Sequence, residues 1–159
     1  MAHVYAARAV LPGMIERGSG YLVQVTSAAG LLNQIGDAAY SATKHAAVSF
    51  GESLAITHRE DGIKVSIVCP QYVATPLIGL GPEDAQDHSG LLSADEVAQS
   101  ILSAVERDAF LTLPHPEVAR FAQVRAQDHD GWIKGMRKLR ARAIAELGQT
   151  GPAGMYRLL

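Results

Sequence analysis

The sequence predicts an α/β fold, a parallel sheet of about three strands with helices on its flanks. Three observations lead there. Short, β-rich and mostly apolar runs lie at residues 21–26, 63–69 and 110–113. Helical stretches of ten or more residues separate them, and such spacing calls for parallel pairing through right-handed crossovers. Of 159 residues, 48% are hydrophobic and 19% charged, which supplies a packed core and excludes wholesale disorder.

The elements follow in order. Residues 2–17 read as a helix with Val4, Ala7, Val10, Leu11 and Met14 as its apolar positions, and Pro12-Gly13 predict a kink or an early end. Gly18-Ser19-Gly20 breaks the chain before the first strand, whose residues suit burial on both faces. A loop of small residues follows Ser27. Asp37 can cap a helix running from 38 to about 60, whose Ala42, Ala46, Ala47, Ser49 and Ser53 allow close backbone approach. Asp61-Gly62 turns into the second strand, and Pro70 stops it. Residues 71–92, with Pro76, Gly79, Gly81 and Pro82, read as a long loop with room for a helical turn, of the length that usually serves function. Ser93 to Glu96 forms a capping box for a helix ending near Arg107, with Val97, Ile101, Leu102 and Val105 on its apolar face. Pro114 cuts the third strand. From 116 to 147 the pattern is helical with a break near 128–131, and a loose tail is expected from Gly148.

Charge and cysteine content exclude several classes. A net charge of −2 lacks the basic excess of a nucleic-acid binder. The single cysteine, Cys69, excludes a disulfide framework and any cysteine-based zinc site. No apolar run reaches the roughly eighteen residues of a membrane span, and the first residues lack a signal-peptide layout, so a cytoplasmic location is expected. The six histidines show no helical pairing suited to a metal. Asp128-His129-Asp130 reads as a solvated helix break. The basic face of the last helix, Lys134, Arg137, Lys138, Arg140 and Arg142, reads as solvated rather than membrane-bound.

Chemistry concentrates at one place. In parallel sheets ligands sit beyond the carboxyl ends of the strands. The first strand delivers Ser27 there, the second delivers Pro70 to Thr75, and Tyr40 and Lys44 lie four apart on one face of the intervening helix. A phenol is a poor base at neutral pH unless nearby positive charge favours its anion, and the lysine and the helix N-terminus both supply such charge. Alone, a tyrosine with a lysine four residues on is an ordinary helical spacing.

The surrounding strings are more specific. Val23-Gln24-Val25-Thr26-Ser27-Ala28-Ala29-Gly30, Ala39-Tyr40-Ser41-Ala42-Thr43-Lys44-His45-Ala46 and Val65 through Pro76 resemble the central and C-terminal part of a short-chain dehydrogenase/reductase, with the family's spacing of thirteen residues from serine to tyrosine. The resemblance is strong over residues 1–77 and weaker through 113. Beyond 114 it holds only in general layout. It implies a partial Rossmann-like, doubly wound sheet, with 1–113 as the catalytic part, 78–93 as the substrate loop, 114–147 as C-terminal helices and 148–159 as a flexible tail.

The same resemblance implies hydride exchange between NAD or NADP and a small alcohol/carbonyl substrate. Tyr40 would be the acid/base, Ser27 would orient the substrate oxygen, and Lys44 would act on the tyrosine and hold the nicotinamide ribose. Pro70, Val73 and Thr75 would contact the nicotinamide end. Gln71 stands where the family usually has glycine, which puts close backbone approach in question there. A homo-oligomer through helices 2–17 and 38–60 is implied as well. No Gly-rich strand–turn–helix occurs, so the nucleotide-binding half is expected to be missing. A truncated, inactive remnant serving at most as an oligomerisation module is the alternative. The first strand would then be an exposed apolar edge, and the isolated chain is expected to be poorly soluble or partly molten.

Overall fold

The computed structural model describes residues 1–86 and 88–159. Helix α1 (Ala2–Glu16) leads into β1 (Gly20–Val25), then α2 (Ala38–His58) and β2 (Ile63–Val68). Two short strands follow, β3 (Tyr72–Val73) and β4 (Leu91–Leu92), then α3 (Ala94–Glu106) and β5 (Leu111–Thr112). Helices α4 (Glu117–Gln127), α5 (His129–Leu147) and α6 (Pro152–Met155) complete the chain.

The main sheet has the order β1-β2-β5 and is parallel throughout, as the crossover argument requires. Gly20 to Val25 stand opposite Ile63 to Val68 without a slip, and Ile67 and Val68 stand opposite Leu111 and Thr112. Helices α1 and α2 cover one face. Ala7, Leu54, Ile63 and Val65 form its centre, with Leu11, Met14, Leu22 and Phe50 packed around them. Gly51 lets α2 sit close to the sheet, because a Cβ there would lie 2.5 Å from Ile67 Cγ2. Among the described residues β1 pairs on one side only, and its Val23 and Val25 are 40% and 47% exposed.

Three details differ from the sequence expectation. Helix α1 carries Pro12 through to Glu16 instead of ending early. Arg8 and Pro12 are both exposed, so the carbonyl that proline leaves without a donor is open to water. Within 71–92 the helical turns occur at Pro76–Ile78 and Pro82–Gln86, but β3 and β4 also pair in parallel, Tyr72 opposite Leu91 and Val73 opposite Leu92, which the loop reading did not include. Asp87 of this stretch lies outside the described residues. The segment from 148 does not hang free either. Gly148, at φ 68°, ends α5, and the chain turns back so that Met155 and Tyr156, each 2% exposed, pack against Tyr72, Leu91 and Ala143. Burial of these side chains stabilises a tail that its Gly/Pro content alone would leave loose. The break expected near 128–131 falls at Asp128, whose carboxylate accepts the Gly131 N–H and caps α5.

Candidate active site

The site grows from the carboxyl ends of β1 and β2. The ladder continues past both strands: the Thr26 N–H donates to the Val68 carbonyl at 2.7 Å and the Ala28 N–H to the Pro70 carbonyl at 2.8 Å. This continuation leaves Ser27 extended and buried, beside the turn that opens the next loop. Its Oγ accepts the Ala29 N–H at 3.1 Å, so its own proton remains available to a ligand oxygen.

Helix α2 brings the second group. Asp37 caps it by accepting the Tyr40 N–H at 2.9 Å, which fixes Tyr40 in the first turn. Lys44, one turn on, places its Nζ 5.4 Å from the centre of the Tyr40 ring. Gly30 sets how near this helix comes: a Cβ there would lie 2.6 Å from the Lys44 carbonyl oxygen. The third group follows β2, where the Thr75 hydroxyl donates to the Val73 carbonyl at 3.2 Å. One cleft of about 440 Å³ is lined by Ser27, Tyr40, Lys44, Pro70, Val73 and Thr75 together. The six residues singled out in the sequence therefore meet at one place.

His115, Tyr72 and Gln34, to which the sequence reading assigned no role, also bear on this site, together with Gln71. His115 is buried and follows β5. Its Nδ1 accepts the Gln71 N–H at 3.1 Å and its Nε2 lies 3.0 Å from the Tyr72 carbonyl, so it bridges the loop after β2 as a neutral ring with the proton on Nε2. Burial holds its pKa below the ordinary histidine value, against the pull of Glu117 and Glu96. The rigid frame Pro114-His115-Pro116 was the available clue. Gln71 takes no left-handed conformation, so its side chain puts no strain on the backbone there. Its Oε1 is buried without a hydrogen-bond partner on the wall of the cleft. Tyr72 and Gln34 touch at 3.5 Å, and burial pushes the Tyr72 phenol up. Behind them a second chamber of about 280 Å³ opens toward α4 and α5. Cys69, also buried, meets the Thr26 hydroxyl at 2.9 Å, and burial raises its thiol pKa, which suits packing rather than nucleophilic work.

A strand-end serine, a tyrosine and lysine one helical turn apart, and a threonine loop thus line one cleft at one sheet edge. The model of the short chain dehydrogenase family matches residues 1–84, and the chain belongs to that family. It is 33% identical over 135 residues to the 1-deoxy-11-beta-hydroxypentalenate dehydrogenase of Streptomyces exfoliatus, a match covering 82% of this chain and 48% of that protein. It is 33% identical over 134 residues to the mouse dehydrogenase/reductase SDR family member 7B, covering 77% of this chain and 42% of the relative. The short-chain dehydrogenase of Sphingobium yanoikuyae, solved with NADPH, superposes with a TM-score of 0.66 at 26% identity, over 86% of this chain and 52% of that one. An enzyme of the family from Burkholderia phymatum, solved with NAD, gives 0.68 at 26% identity, over 80% and 54%. The chain spans about half the length of the curated relatives it matches. Among the described residues no helix is long and apolar enough to cross a membrane.

Proposed function

We propose that this chain is the catalytic and substrate-binding part of an NAD(P)-dependent oxidoreductase that interconverts an alcohol and a carbonyl. The carrying observation is the single cleft shared by Ser27, Tyr40, Lys44, Pro70, Val73 and Thr75. Tyr40 gives a proton to the carbonyl oxygen in reduction and takes it from the hydroxyl in oxidation. Ser27 donates its free proton to that same oxygen, because its acceptor side is already held by the Ala29 N–H. Lys44 places positive charge beside the phenol as charge develops there.

The residues present fit the nicotinamide end of the cofactor. Lys44, the Val73 backbone and the Thr75 hydroxyl would hold that end, and the orphaned Gln71 Oε1 is an acceptor waiting for a ligand donor. When bound, the nicotinamide supplies or accepts the hydride. Among the described residues none forms the Gly-rich strand–turn–helix that cradles its phosphates.

The test pairs two measurements. Tyr40→Phe should lower kcat by at least about a hundredfold while leaving binding of reduced nicotinamide, read by its fluorescence, unchanged. A fully active variant would remove the mechanism. Absence of saturable NADH or NADPH binding at millimolar concentration would favour a second reading, a module for self-association. Tyr5 on α1 and Ile56 on α2, 62% and 82% exposed, are the apolar side chains that favour it.

A further inference from the structure

The chamber behind the catalytic cleft has a chemistry of its own. Its walls are Phe121, Val124, Trp132, Met136, Leu139 and Met155, drawn from α4, α5 and the returning tail. None of the residues lining it carries an acidic or basic side chain. Of its polar lining residues, Ser27, Gln34, Gln71 and Tyr72 also line the cleft that holds Tyr40, and Asn33 lines the chamber alone. The space is therefore graded, with hydrogen-bonding groups beside the reacting oxygen and hydrocarbon beyond it.

We infer that the substrate is a neutral ketone or secondary alcohol carrying a compact, apolar, ring-sized body, which fills this chamber while its oxygen meets Ser27 and Tyr40. The inference rests on the dehydrogenase reading of the adjoining cleft. About 280 Å³ corresponds to roughly nine water volumes, the bulk of one alkylated ring or a small fused pair. A carboxylate or phosphate on that body would enter without a counter-charge and lose its hydration uncompensated. Keto acids and phosphorylated sugars are thereby disfavoured as substrates.

Trp132 is the only tryptophan of the chain and lines the chamber, so its emission reports occupancy without any cofactor or turnover. The purified chain is titrated with tert-butylcyclohexanone and with the matching oxocyclohexanecarboxylate, which carries a carboxylate in place of the alkyl group. The neutral ketone should change Trp132 emission saturably, and the carboxylate should bind at least about tenfold more weakly. Gly135→Leu places bulk at a helical position whose Cβ meets no atom within 4 Å, so it should block the ketone without forcing the backbone. Met136→Lys should weaken the ketone and strengthen the carboxylate, a gain that a misfolded variant cannot give. Absence of a saturable response to the ketone, equal or tighter binding of the carboxylate, or variants that bind like the parent would each overturn the assignment. A chain that binds the ketone in this way yet transfers no hydride in any longer or assembled form would instead sink the dehydrogenase reading alone.

Discussion

Replacing His115 by phenylalanine removes two polar contacts while keeping a ring of similar volume in a site only 2% exposed. The Gln71 N–H loses its acceptor at 3.1 Å and the Tyr72 carbonyl its donor at 3.0 Å. A buried polar group left unpaired costs about 1–3 kcal/mol, so the two together should cost about 3 kcal/mol, with little added by a cavity. For a chain of this length that corresponds to a Tm lower by about ten degrees, read by circular dichroism at neutral pH. Acid provides a second arm. His115 in the folded chain has its pKa lowered from 6.5 by burial. Above 6.5 the ring is neutral in both states and its contribution is complete. As pH falls below 6.5 the unfolded chain takes up a proton that the folded chain refuses, so stability declines by up to about 1.4 kcal/mol per pH unit until the folded value is reached. The His115→Phe variant lacks this decline, so the gap between parent and variant should narrow in that window. A loss below about 1 kcal/mol, or parallel acid profiles, would refute the bridging role.

Gly30→Ala should cost about 1–3 kcal/mol in urea denaturation and depress hydride transfer, because its Cβ would press on the Lys44 carbonyl oxygen and on Val48 Cγ2 at 2.9 Å. An unshifted midpoint would show that α2 can back away freely. Ser93→Ala should lose about 1 kcal/mol by the same measurement, since Ser93 Oγ accepts the Glu96 N–H and the Glu96 carboxylate accepts the Ser93 N–H. Ser93→Asp should recover most of that loss. Val23→Lys places a charge on the unpaired, apolar β1 edge and should shift sedimentation profiles toward smaller species, with stability within about 0.5 kcal/mol of the parent. An unchanged profile would mean that association does not run through this edge.

How much could be read from the residues depended on whether the signal was local. β1, β2 and α2 were legible because six or more consecutive residues carry one periodicity, and Asp37 and Ser93 mark their helix starts by chemistry that acts within three residues. Ser27, Tyr40 and Lys44 could be singled out because the strings around them resemble those of a known family, whereas a tyrosine and a lysine four apart are by themselves an ordinary helical spacing. β3 and β4 were not, since two residues hold no periodicity and their pairing exists only through a partner nineteen positions away. Tyr156 looked like part of a loose tail because its burial depends on Tyr72 and Ala143, which no local rule connects to it. His115 was passed over for want of a metal partner, whereas its task is to join two backbone groups.

The long reach of these connections bears on how the chain folds. Thr26 waits for Val68, Gln71 and Tyr72 wait for His115, and the Arg125 guanidinium donates to the Leu31 carbonyl across 94 positions. Closing such loops costs entropy before any contact repays it, and that slows assembly. Helix α2 can present Tyr40 and Lys44 on one face as soon as it winds, because their relation is local. Ser27 and Thr75 reach them only when distant segments dock, so a working cleft should be among the last features to emerge during refolding. Chain collapse and helix formation, followed by far-ultraviolet signal, should therefore run ahead of any recovery of binding at the Trp132 chamber.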